Sequence, residues 1–166
     1  MAIDLTVVSG GQTGVDRAAL DAALSLGIPC GGWCPDGRLA EDGPIPPRYP
    51  LVELAGADYL RRTRQNVIDS DGTLVVTIGP PSGGTARTIE FCREFGRPML
   101  KVDAAQATIE QAAHEARRFV IEHDIRRLNV AGPRASGAPG AYDFAFALLR
   151  RMLSTNSAAA DRRPAG

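Results

Sequence analysis

The run Thr73-Leu74-Val75-Val76-Thr77-Ile78 limits this chain more than any other stretch. It is β-branched or apolar throughout, with no polar residue on alternate positions. An antiparallel strand with one wet face alternates, whereas a run of this kind fits a parallel strand covered on both faces. Parallel neighbours need crossover connections, usually helices. The run therefore predicts an alternation of strands and helices along the rest of the chain.

That alternation is present. Short apolar runs at 4–9, 28–33, 51–54, 98–102 and 127–131 read as strands. Ala/Leu-rich or amphipathic stretches at 15–26, 57–70, 84–96, 107–124 and 141–153 read as helices. Gly27 and Pro29 stop the first helix, and Gly96 and Pro98 the third. The expected class is α/β, a Rossmann-like, mostly parallel sheet with helices on both faces. With 166 residues, one domain over 1–154 is expected. A tail at 155–166, small and polar, is expected to be disordered. Five prolines between 35 and 50 forbid a regular helix there. So long an irregular stretch is either functional or disordered.

Composition excludes several partners. Lys+Arg and Asp+Glu are both 19, which argues against bulk attraction to nucleic acid or an acidic membrane. No apolar run approaches the roughly 20 residues of a membrane span. The N-terminus reads as a first strand rather than a signal peptide, so a cytoplasmic location is expected. Cys30, Cys34 and Cys92 form neither a disulfide framework nor a zinc pattern. His114 and His123, nine residues apart, fall on opposite sides of one helix, so no shared metal site is expected.

Three loops carry the chemistry, each at the carboxyl end of a predicted strand, where ligands bind in such sheets. The first is Ser9-Gly10-Gly11-Gln12-Thr13-Gly14, with Asp16 and Arg17 at the following helix start. Glycines let backbone N–H groups approach a phosphate, and a helix N-terminus favours an anion. Gln12 and Thr13 add side-chain donors, although a tight strand-to-helix turn has the same composition. The second is Ser82-Gly83-Gly84-Thr85 with Arg87 and Thr88, where a guanidinium can grip phosphate through two parallel bonds. A simple N-cap is the plainer alternative. The third contains Gly132, Arg134, Ser136 and Gly137, where Arg134 and Ser136 can hold an anion or Arg134 can be a solvated loop charge. Together the three loops suggest a small phosphorylated ligand. Asp36, Arg38, Glu41 and Asp42, in the proline-rich stretch, are candidates to meet ligand N–H groups or a sugar hydroxyl. At most one or two of Arg61, Arg62 and Arg64 can face inward on a helix, and Asn66 is a further candidate there.

The segments SGGQTGVDRAALDAA, GWCPDGRLAEDGPIPPRYPL, NVIDSDGTLVV, SGGTARTIEF and LNVAGPRASGAPGAY together resemble the "putative molybdenum cofactor carrier" family. That family is also described as circularly permuted YpsA-like, within the SLOG and lysine-decarboxylase-like Rossmann group. The resemblance implies a homo-oligomer, dimer or tetramer, that binds molybdenum cofactor through its phosphate and pterin. Molybdenum-enzyme apoproteins would then be its partners, and no protein ligand to the metal is needed. By matching motif, the phosphate-side residues are Gly11, Thr13, Ser82, Gly83, Gly84, Thr85 and Arg134, and the pterin-side residues are Asp36 and Arg38. Related phosphoribohydrolases carry PGGxGTxxE. Here Thr88 stands where their catalytic Glu would be, and the acid comes two residues later, at Glu90. Two residues turn a helical side chain by about 200°, so the resemblance favours a carrier. A nucleoside-monophosphate phosphoribohydrolase and a non-catalytic nucleotide or ADP-ribose sensor are the alternatives.

Overall fold

A computed structural model describes residues 3–154; the tail expected at 155–166 lies outside the described residues. Nine short strands and five α-helices follow one another in them, alternating except between α1 and α2: β1 (Thr6–Val8), α1 (Val15–Ser25), β2 (Cys30–Gly31), β3 (Trp33–Pro35), β4 (Leu39–Ala40), β5 (Gly43–Pro44), β6 (Val52–Leu54), α2 (Tyr59–Ile68), β7 (Gly72–Thr77), α3 (Gly83–Glu94), β8 (Met99–Asp103), α4 (Ile109–Glu122), β9 (Arg127–Ala131) and α5 (Ala141–Ser154).

Five strands form the central sheet in the order β2-β1-β9-β7-β8, and every pair in it is parallel. The uninterrupted run that opened the sequence reading falls on β7, one residue earlier than expected at Gly72–Thr77; the strand is second from the edge and buried at all six positions, and Ile78 lies exposed just beyond it. Its register sets Val76 beside Val102 of β8 and Leu74 beside Val130 of β9. Read from β9 rather than from β1, the strand order is 3-2-1-4-5, the Rossmann order with its start moved. The last strand of the chain thus occupies the central place that the first strand holds in an unpermuted fold. The point where the winding direction reverses lies between β9 and β7.

Side-chain alternation sorts the helices. Val7, Leu74, Val76, Leu128 and Val130 point to one face, where they form the main core with α1, α4 and α5. The alanines Ala18, Ala19, Ala22 and Ala23 let α1 lie close against α5 and the sheet. On the other face, α2 and α3 pack together through Val67, Phe91 and Cys92. Helix starts follow local chemistry. Asp58 caps α2 by accepting from the Arg61 N–H, and Thr108 and Gln111 form a capping box on α4.

The region expected as one strand at 28–33 is two. Gly32 sits at φ 131°, and a Cβ there would meet the Ser9 carbonyl oxygen at 2.3 Å. The chain swings off the main sheet at this point, and β3 instead pairs in parallel with β6. The proline-rich stretch is ordered. Ile45, Tyr49 and Leu51 form a second small core with Leu20 on the outer side of α1 and with Cys34.

Candidate functional site

A cleft of about 640 Å³ opens at the carboxyl ends of β9 and β7, where the winding reverses. Ligand pockets commonly measure roughly 300–1,000 Å³. Its lining brings together Gly10, Gln12 and Asp16 of the first loop and helix, Ser82, Gly83, Gly84, Thr85 and Arg87 of the second, and Arg134 of the third. Tyr59, Arg62 and Asn66 of α2 complete one wall, and Leu60, Ile78, Pro80 and Pro81 give it an apolar side.

The three loops are not equivalent. At α3, Ser82 makes no side-chain cap, and no protein acceptor meets the N–H groups of Gly83, Gly84 or Thr85 among the described residues. This helix start therefore presents open donors and a positive dipole end to the cleft. Thr88, one turn in, donates its hydroxyl to the Gly84 carbonyl at 3.0 Å. Arg87 stands at the rim, half-exposed, bonded to Glu90 and lying over Phe91 at 5.3 Å. Glu90 is exposed and outside the cleft, as its angular offset from Thr88 predicts.

In the first and third loops, backbone donors are spent within the first loop and between the two. Gly11 N donates to Ser9 Oγ at 3.4 Å, Gln12 N to Asp16 Oδ2 at 3.2 Å, and Thr13 N to Gln12 Oε1 at 3.0 Å. Val15 N reaches the Pro133 carbonyl and Ala135 N reaches Thr13 Oγ1. Glu41 is the clamp between them. It accepts from the Thr13 hydroxyl and from the backbone N–H and hydroxyl of Ser136. These bonds, first from the Ser136 hydroxyl and then from Thr13, hold its carboxyl below the usual carboxylate range. Thr13, Ser136 and Glu41 thus fasten loops together. Asp42, held low by its hydrogen bond to Arg17, fastens α1 to the same turn.

Four other expected contacts fall elsewhere. Gly11 lies outside the cleft, and its position faces Leu51 and Ile45. Asp36 accepts from the Gly56 N–H at 3.0 Å. Arg38 spends its guanidinium on the carbonyls of Ile45, Pro46, Tyr49 and Leu51, at 2.9 to 3.2 Å. It organises the proline-rich stretch, whose prolines cannot donate to those carbonyls themselves. Asn66 lines the cleft, but its amide makes a two-bond bridge to the Trp33 backbone, docking α2 on β3.

The floor holds what the sequence left undecided. Of the three arginines on α2, Arg62 turns inward and is 6% exposed, while Arg61 and Arg64 are exposed. Arg62 donates to the Gly10 carbonyl. A Cβ at Gly10 would sit 2.3 Å from Arg62 Nη1, so any side chain there displaces the guanidinium. Asp16 lies 4.0 Å from the same guanidinium. Burial pushes its carboxyl up to about 6, against the opposing pull of Arg62, the Gln12 N–H and Arg17. Gln12 is 7% exposed, and its Oε1 accepts from both Thr13 N and Glu41 N. That fixes its amide orientation and leaves Nε2 buried without a partner. Tyr59, Arg62 and Asn66 share one helical face at spacings of three and four, the signal that picks out the inward arginine.

The permuted sheet and the cleft at its reversal point define a Rossmann-like fold whose cleft is faced by the open α3 amides. The chain belongs to the circularly permutated YpsA SLOG family, which it matches over residues 7–153. It is also similar to the crystal structure of a Syntrophus aciditrophicus SB protein named "Putative molybdenum carrier protein". The two share 46% sequence identity with a TM-score of 0.88, over 92% of this chain and 96% of that one. None of the curated proteins matches this chain. Among the described residues no group of three or more His, Cys, Asp or Glu is placed to hold a metal ion, and no helix is long and apolar enough to cross a membrane.

Proposed function

We propose that this chain binds and carries molybdenum cofactor or a similar phosphorylated pterin. The observation that carries the reading is the start of α3: three unpaired backbone N–H groups and the Ser82 and Thr85 side chains open on one cleft. A phosphate there accepts several N–H bonds and meets the positive dipole end, and Arg87 has only to exchange Glu90 for it. The apolar wall of Tyr59, Leu60, Ile78 and the two prolines suits a flat ring. The similar protein's name points the same way. The cofactor's own sulfurs would hold molybdenum, so the carrier needs no metal ligands of its own. Homo-oligomeric assembly, a cytoplasmic location and delivery to molybdenum-enzyme apoproteins belong to the same proposal.

Calorimetry with anaerobically prepared cofactor tests it. Uptake near one per chain is expected, weakened at least tenfold by Gly84→Pro, which places a ring at the N–H cluster. No uptake of cofactor alongside firm binding of simple nucleotides refutes it. One observation favours a second reading, nucleoside-monophosphate hydrolysis: Asp16 supplies a carboxylate inside the cleft that Glu90 does not. Release of free base from AMP, lost in Asp16→Asn and kept in Glu90→Gln, would establish it.

A further inference from the structure

Arg62 is a buried cation whose hydrogen-bonding capacity is largely unspent. A guanidinium carries five N–H donors, yet the bond from Nη1 to the Gly10 carbonyl is its only hydrogen bond among the described residues. Its nearest carboxylate, Asp16, is at 4.0 Å, beyond hydrogen-bond reach. Its remaining nitrogens are not among the buried, unpartnered side-chain atoms. On a side chain this buried, in the cleft lining, they therefore open to the cleft.

Arg134 repeats the pattern from the third loop. It also lines the cleft, its nearest carboxylate is Glu41 at 3.9 Å, and its guanidinium makes no hydrogen bond among the described residues. The two guanidinium carbons lie 5.9 and 5.6 Å from the centroid of one ring, Tyr59. Burial chiefly weakens the hold of Arg62 on its proton, and the nearby Arg134 charge adds to it. Both counter-carboxylates are diverted: Glu41 to Thr13 and Ser136, Asp16 to the Gln12 N–H. Two like charges placed about one ring, each with spare donors, are what an oxyanion relieves. None of these partners belongs to α3.

We propose that Arg62 and Arg134, over Tyr59, form a second anion subsite in the cleft, so that the ligand carries a further oxyanionic group besides the phosphate on α3. This rests on the carrier reading for the first group only. The second group is a tetrahedral oxyanion, an oxometalate or another phosphate, which share this chemistry.

Crystals of the full chain soaked separately in tungstate and in phosphate test it. Two sites are expected with tungstate, one at the Gly83–Thr85 amides and one between Arg62 and Arg134. A tungstate-only second site identifies an oxometalate group, and occupancy by both anions a general oxyanion subsite; either supports the proposal. Density at α3 alone, or one anion spanning both groups, overturns it and leaves the carrier reading standing. Density at Arg62 and Arg134 alone supports it and removes the α3 anchor; an anion at neither place sinks both. In solution, Arg134→Gln, a change at a half-exposed position, should weaken the second tungstate-binding event at least tenfold and spare the first. Equal affinities in variant and wild type overturn the proposal even if Arg62→Met fails to fold.

Discussion

Substituting Asp16 by Asn tests the electrostatics of the cleft floor through stability alone. In the folded chain the Asp16 carboxyl is pushed from 3.8 up to about 6. Burial is the larger cause, and Arg62 at 4.0 Å opposes it without a hydrogen bond. A folded pKa above the unfolded one means that the fold prefers the neutral acid. The stability this contributes is fully present below pH 3.8 and is lost as pH rises through about 6. At about 1.4 kcal/mol per unit, the wild type should lose about 3 kcal/mol relative to Asp16→Asn across that window. For a chain of this size that is ~6–12 °C in Tm. The assay is chemical and thermal unfolding of both proteins from pH 4 to pH 8. The slope of their difference is the reading, because the change in hydrogen bonding when Asn replaces the carboxyl adds an offset that pH does not change, whereas the attraction of Arg62 acts only on the charged form and is already counted in the shifted pKa. Parallel curves would refute the reasoning. A wild type that gains on the variant as pH rises would show that the Arg62 attraction outweighs burial.

Other perturbations separate architecture from binding. Gly10→Ala drives a methyl into the Arg62 guanidinium, so it should cost about 1–3 kcal/mol in unfolding experiments and weaken anion binding, whereas Gly84→Ala, with open space around it, should leave stability within about 0.5 kcal/mol. Arg38→Ala leaves four carbonyls without their donor, and limited proteolysis should cut between 36 and 51 while the wild type resists. Glu41→Ala unties Thr13 from Ser136; hydrogen exchange should speed up at Ala135 and Ser136, with β7 amides unchanged.

The positions of the elements were legible because they depend on local chemistry. The predicted strand at 127–131 matches β9 at both ends, and helix ends follow Gly27, Gly96 and the Asp58 and Thr108 caps. The helix start at Ser82–Thr85 was legible for the same reason, since Ser-Gly-Gly-Thr after an apolar strand is a local arrangement, but that its amides stay unpaired was not. Composition did not show that Thr13 and Ser136 of the first and third loops are tied to Glu41. Whether an N–H is free depends on what it meets, and Thr13 and Ser136 meet Glu41, 28 and 95 residues away.

By itself the sequence determined a parallel α/β sheet, the order of its elements along the chain and the placing of Gly/Ser/Thr-rich loops at the strand ends. Each of these follows from periodicity and from caps spanning a few residues. Tertiary structure alone decided that β9 lies between β1 and β7, which puts the cleft at their carboxyl ends. It also decided that Arg62, rather than Arg61 or Arg64, lies buried beside Asp16. Strand neighbours and buried charge pairs join residues far apart in sequence, and only packing the helices on the sheet brings them together.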